Sequence, residues 1–203
     1  MLAGRIECVV LGASAGGIEA LGVLLPALPA GLDVALLVVL HLPRDRPSLL
    51  VEIFERRCAL RVREAQDKEP ITAGTVYFAP PDYHMLVEND RRIALSEDEP
   101  VLYSRPSIDV LFESAAEVYR ERLLGVILTG ASEDGTAGLH AVQRCGGMTV
   151  VQSPDSARVP LMVVSALRRN PAACVLPLED IGRLLCSLAQ APRAPGNADC
   201  EGG

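Results

Sequence analysis

Apolar runs, each handed over to a helical pattern, constrain this chain most. Ile6–Leu11, Val34–Leu40 and Leu123–Leu128 are rich in Val, Ile and Leu and show no polar alternation along their length. Such runs suit strands buried on both faces. Helical patterns follow at Gly16–Leu25, with Pro26 and Pro29 as its stop, at Pro47–Cys58, and from about Gly135 to Gln143. A strand at Met148–Gln152, a helix over Val159–Arg168, a strand at Ala173–Leu176 and a helix near Glu179–Ala189 continue the alternation. The expected fold is α/β: a doubly wound, mostly parallel sheet with helices on both faces.

The middle of the chain reads differently. Arg61–Glu64 reads as a short strand. Thr75–Ala79, His84–Glu88 and Arg91–Ser96 are short, partly alternating and separated by APPDY and NDR turns. These are read as a small antiparallel hairpin insertion. Ser107–Tyr119 is a predicted helix with Ser107 as its cap. Residues 1–190 are expected to form one domain, and the Pro-, Gly- and Asn-containing segment 191–203 a disordered tail.

Composition excludes several classes. Aromatics make up 3% and Trp is absent, so the core must be aliphatic. The net charge of −7 and scattered basic pairs argue against a grip on nucleic acid phosphates. The longest unbroken apolar run, Val34–Leu40, is too short to insert in a membrane. None of the six cysteines forms a C-x-x-C pair, which points to buried thiols in a reducing cytoplasm rather than a metal site or disulfides. No metal or organic cofactor is expected.

In a doubly wound sheet the site lies beyond the carboxyl ends of the strands. Three chemistry-bearing residues fall there: Ser14 in the GASAGG turn, His41 after VALLVVL, and Asp134 in LTGASEDGTAG. They are the parts of a serine hydrolase. Each has a plainer reading. Ser14 could cap a helix, His41 could bond a loop carbonyl, and Asp134 could cap the helix it precedes. Glu133 is a rival carboxylate. His84, in the inserted segment, is placed on the rim, and His140 points away from the strand ends. A dinucleotide fingerprint fits poorly, because Ser14 replaces its second glycine and His41 stands where a ribose-binding acid belongs. The order Ser, His, acid also differs from the Ser, acid, His of α/β-hydrolases.

The segments VVLGASAGGIEAL, GTVYFAPPDYHM, SRPSIDVLFESAA and GVILTGASEDGTAGL, with the His41-x-Pro43 loop, resemble the catalytic domain of the chemotaxis protein-glutamate methylesterase, the CheB type. The resemblance runs from the first strand to about Asp180. It implies catalytic Ser14, His41 and Asp134, and an oxyanion held by backbone N–H groups near Ala15 and Ala131. The implied reaction hydrolyses glutamate γ-methyl esters on the cytoplasmic domain of methylated chemoreceptors, with deamidation of certain glutamines as a second activity. Met162, like His84, is assigned to the substrate rim.

Two departures stand out. Met162-Val163-Val164-Ser165 replaces a Met-Pro-Arg-Glu-like stretch, and Ala15 stands where a threonine often follows the serine. The family commonly carries a receiver domain ahead of this one, whereas this sequence opens at the first strand. The expectation is therefore an uncovered, constitutively competent site, governed by substrate access or by a separate regulatory protein. The contrasting reading is a non-catalytic chemosensory binding module that keeps the fold.

Overall fold

The computed structural model describes residues 6–42 and 49–189. The predicted tail and the first residues of the predicted Pro47–Cys58 helix lie outside the described residues. Seven strands form one parallel sheet: β1 (Cys8–Ala13), β2 (Ala35–Leu40), β3 (Arg61–Glu64), β4 (Thr75–Phe78), β7 (Leu123–Ile127), β8 (Met148–Gln152) and β9 (Cys174–Leu176), in the order β3-β4-β2-β1-β7-β8-β9. A separate antiparallel hairpin pairs β5 (His84–Val87) with β6 (Ile93–Ser96). Among the described residues six α-helices complete the fold: α1 (Gly17–Ala27), α2 (Leu50–Glu55), α3 (Ile108–Tyr119), α4 (Thr136–Arg144), α5 (Leu161–Arg169) and α6 (Leu178–Cys186).

The apolar runs split by strand alternation into two cores. Val9, Leu11, Leu36, Val38, Val126 and Val150 join side chains of α1, α2 and α6 on one face. Cys8, Val10, Leu37, Val39, Ile127 and Val151 join α3, α4, α5 and the hairpin on the other. Both faces of the central strands are therefore covered, as the absence of polar alternation demanded. Each fully buried Val or Leu adds about 1.5–3 kcal/mol. The sheet interior is accordingly the rigid base on which the carboxyl-end loops stand.

Two expectations are corrected. Thr75–Phe78 is not part of the antiparallel insertion; it is an inner strand of the main sheet, parallel to β2 and β3. Its four residues are all buried, which gives it the company of a core strand despite its short length. Pro26 does not stop the first helix but lies inside α1. Proline cannot donate to the Gly22 carbonyl one turn back. The Arg57 guanidinium donates to that carbonyl instead, at 3.3 Å.

Leaving β1, the chain adds β2 and then β4 and β3 outward on one side. It returns to place β7, β8 and β9 on the other. The switch point thus falls between β1 and β7, and sites in such sheets lie beyond the strand ends at that point.

Candidate active site

The loops after β1, β2 and β7 meet at this switch point. The register pairs Ala13 with Leu40, so Ser14 and His41 are the next residues on neighbouring parallel strands. The His41 N–H donates to the Ala13 carbonyl at 3.0 Å, and the Ser14 N–H donates to the Thr129 carbonyl at 3.0 Å. Ser14 is thereby stitched to both flanking strand ends, roughly 4.8 Å from its neighbours in the pairing direction. It remains half-buried and open to solvent on one side.

Asp134 lies behind His41 and is fully buried, with 0% exposure. Its Oδ2 accepts from His41 Nε2 at 2.8 Å and from the Ile108 N–H at 2.7 Å. Its Oδ1 accepts from the Ser107 hydroxyl at 2.8 Å and the Asp109 N–H at 3.0 Å. Burial alone would raise its pKa. The bonds from His41, Asp109 and Ile108 outweigh that and hold the carboxyl below the usual range. An ionised carboxylate only accepts, so the His41 hydrogen sits on Nε2. Nδ1 is left as the ring's basic nitrogen. Among the described residues the Ser14 hydroxyl makes no hydrogen bond to His41. Serine and base often tighten only around bound substrate.

The plainer reading of Asp134 is corrected. It does not cap α4, whose N-cap is Gly135 with no side-chain cap bond. It caps α3 instead, a helix that begins 26 residues earlier. The favour is returned: Asp109, in the first turn of α3, accepts from the Gly138 N–H of α4 at 2.6 Å. Gly135 makes this approach feasible. Its φ is +95°, and a Cβ there would lie 2.8 Å from Ile108 Cγ2.

The rim assignment of His84 and Met162 is also corrected. His84 is 2% exposed. Its Nδ1 accepts from the Ser107 N–H at 3.1 Å, and its Nε2 faces the Glu99 carbonyl at 3.2 Å. That pattern requires the hydrogen on Nε2. His84 thus braces Ser107, which braces Asp134. Met162 is 0% exposed and forms the wall beneath Gly130. A Cβ on Gly130 would come 2.6 Å from Met162 Sδ and 3.0 Å from Ser14 Cβ, so only glycine lets this loop lie against the serine. His140 stands on α4, and its Nδ1 has no partner among the described residues.

Sequence reasoning misses Thr129. Its hydroxyl donates to the Ala15 carbonyl at 2.9 Å and accepts from the Val159 N–H at 2.9 Å. Its backbone N–H donates to Gln152 Oε1 at 2.9 Å. One residue therefore ties the serine turn, β8 and the segment before α5 together. Its only signal is its place between the β7 run and Gly130.

Ala15 and Ala131 are exposed beside Ser14. The Gly130 carbonyl accepts from the Met162 N–H at 3.0 Å. Across a trans peptide the Ala131 N–H then points the opposite way, off α5. Neither the Ala15 nor the Ala131 N–H donates to an acceptor among the described residues.

The CheB methylesterase family model matches residues 9–185. The chain belongs to the CheB methylesterase family. A relative from Leptospira interrogans is 45% identical over 184 residues, covering 91% of this chain and 95% of its own. A Symbiobacterium thermophilum protein named protein-glutamate methylesterase/protein-glutamine glutaminase is 40% identical over 85% of this chain, which spans 48% of its length. The crystal structure of the Thermotoga maritima CheB methylesterase catalytic domain superposes with a TM-score of 0.85 at 32% identity, covering 90% of this chain and 98% of that one.

Within this CheB domain the Met162–Ser165 departure falls on the first turn of α5. Met162, Val163 and Ser165 are buried there, so most of the change is absorbed by packing rather than shown to a substrate.

Asp109 makes the site's surroundings sensitive to pH. Burial, with the Asp134 and Glu113 charges adding to it, raises its carboxyl from the usual 3.8 to about 6, against the lowering bond from Gly138. Between those values the folded chain holds a proton that the unfolded chain has lost. Stability therefore falls as pH rises through this window. An asparagine at position 109 would still offer one oxygen to Gly138. Asp109→Asn is expected to melt higher than the parent above about pH 6, with the two curves converging below about pH 4. Thermal melts across pH 4–8 check this, and parallel curves would exclude it.

Proposed function

We propose that this chain hydrolyses glutamate γ-methyl esters on the cytoplasmic helices of chemoreceptors, with Ser14, His41 and Asp134 as its triad. The observation that carries the reading is the 2.8 Å bond between His41 Nε2 and the buried Asp134 carboxylate, at the strand end beside Ser14. Membership of the CheB methylesterase family supplies the ester class. Among the described residues no helix is long and apolar enough to cross a membrane, which agrees with action on the cytoplasmic part of the receptor.

Ser14 Oγ attacks the ester carbonyl as His41 Nδ1 takes its proton. Asp134 holds the ring in this tautomer and stabilises the imidazolium. The Ala15 and Ala131 N–H groups meet the oxyanion. Collapse of the intermediate expels methanol, which leaves with the proton from His41. Water then gives its proton to Nδ1 and attacks the acyl-serine; as the bond to Ser14 breaks, Nδ1 returns the proton to Ser14 Oγ and the glutamate is released. A glutamine side chain would follow the same course with ammonia as leaving group.

The test is methanol release from methylated receptor membranes by the purified chain, set beside Ser14→Ala. Methanol from the parent and none from the variant is the expected result. Equal release by both would remove Ser14 from the mechanism.

A further inference from the structure

The catalytic groups sit in a shallow place. The recess beside His41 holds about 70 Å³ and is lined by His41, Leu42, Tyr103, Ser104, Arg105 and Pro106. Sites that bind small molecules by enclosure usually offer several hundred Å³. This recess takes the end of one side chain and little else. Affinity for a macromolecule carrying that side chain must come from outside it.

One wall of the recess ends in an unusual turn. The Val101 N–H donates to the Ser104 carbonyl at 3.1 Å, and the Ser104 N–H donates to the Val101 carbonyl at 2.8 Å. Leu102 and Tyr103 form the two-residue tip, with φ of 47° and 64°. Successive positive φ values belong to hairpin turns that Asn-Gly fills without strain. Leu and Tyr fill them at a cost. They are also thrust into solvent, Leu102 at 51% and Tyr103 at 97% exposure. The tip presents both side chains outward rather than to the core.

The base of the turn is fixed. Arg105 Nε and Nη2 donate to Asp82 Oδ1 at 3.0 and 2.8 Å, and Nη1 donates to the Glu97 carbonyl at 2.7 Å. Two residues further on, Ser107 and then Ile108 grip Asp134. The tip is therefore held at a set position relative to His41.

We infer that Leu102 and Tyr103 form an apolar finger that docks the receptor helix bearing the target glutamate. The inference rests on the proposed methylesterase function and deepens it by naming where substrate affinity arises. The occupant is a helix whose apolar side chains, three or four residues from the ester, meet the finger while the ester enters the recess. Tyr is suited to this: a large contact area with few rotors and a polar end at the rim. Among the described residues that line the recess, the one cation, Arg105, is already engaged by Asp82, so the finger's contribution there is apolar contact.

The experiment is the double substitution Leu102→Asn with Tyr103→Gly, which suits the turn's backbone. The variant should remain folded, which a thermal melt checks. KM for methylated receptor should increase about tenfold or more, with kcat within about twofold, as expected for a lost aromatic anchor. An unchanged KM in a folded variant would overturn the finger while leaving the triad standing. If the parent chain releases no methanol from methylated receptor, the proposed function fails first, and the finger falls with it.

Discussion

Ser14→Ala is expected to abolish ester turnover, by at least about 10⁴-fold, and to leave the melting temperature within a few degrees of the parent. The two halves of this expectation have separate causes. Turnover depends on Ser14 Oγ as the nucleophile, and alanine offers none. The fold depends on the Ser14 backbone, whose N–H bonds Thr129 and whose carbonyl accepts from the Gly17 N–H at 2.8 Å, and alanine keeps both. The hydroxyl is half-buried beside solvent, so its loss strands no buried partner. His41→Ala should cost activity comparably, because serine and base act as one unit. It should also cost stability, since Asp134 Oδ2 loses one of its two donors. Initial rates with methylated receptor, paired with thermal melts, separate these effects. A folded Ser14→Ala protein with ordinary turnover would remove Ser14 from the chemistry.

The placement of Ser14, His41 and Asp134 is legible because each follows a run of buried aliphatic residues. Such runs can only be strands in a two-sided sheet, and their carboxyl ends must gather at one edge. What is not legible is what bonds across long separations. Asp134 stands next to α4 in sequence and looks like its cap, yet its oxygens serve residues 107 to 109. Nothing local in SEDG signals a helix start 26 residues earlier. His84 suggests the rim because it sits in a hairpin, and hairpins are usually exposed. Its burial comes from α3 packing over β5, where the Val87 N–H also donates to Ser114 Oγ at 3.1 Å. Thr75–Phe78 resembles a hairpin strand because four residues carry too little pattern to reveal burial on both faces. The proline in α1 misleads because its relief comes from Arg57, which reaches a carbonyl 35 positions back along the chain.

Asp134→Asn is expected to fail twice over, in activity and in folding. A plain helix cap tolerates this change, because Asn caps about as well as Asp. Asp134 is more than a cap. Its two oxygens accept four donors: the Ser107 hydroxyl, the Ile108 and Asp109 N–H groups, and His41 Nε2. Asparagine has one acceptor oxygen, and its NH₂ would face two of those donors in a site with no exposure to water. If the oxygen takes the Oδ1 place, serving Ser107 and Asp109, the amide nitrogen meets both His41 Nε2 and the Ile108 N–H. Nε2 must then give up its hydrogen, which moves to Nδ1 and removes the base that the proposed mechanism needs. Activity should drop by about 10³–10⁴-fold, the range for a triad histidine held in the wrong tautomer. If the oxygen takes the Oδ2 place, serving His41 and Ile108, the NH₂ faces Ser107, whose hydroxyl can turn to accept, and the Asp109 N–H, which goes unpaired at about 1–3 kcal/mol. The substitution therefore cannot satisfy base and helix at once. The pH dependence should change with it. The depressed Asp134 carboxyl adds stability above the usual carboxylate range, and that stability is lost as pH falls through its folded value. The asparagine variant has no such charge to lose, so the parent's stability advantage at pH 7 should shrink on acidification. A variant with full activity would show that His41 does not need Asp134, and one with unaltered stability would show that the four bonds do not hold α3 in place.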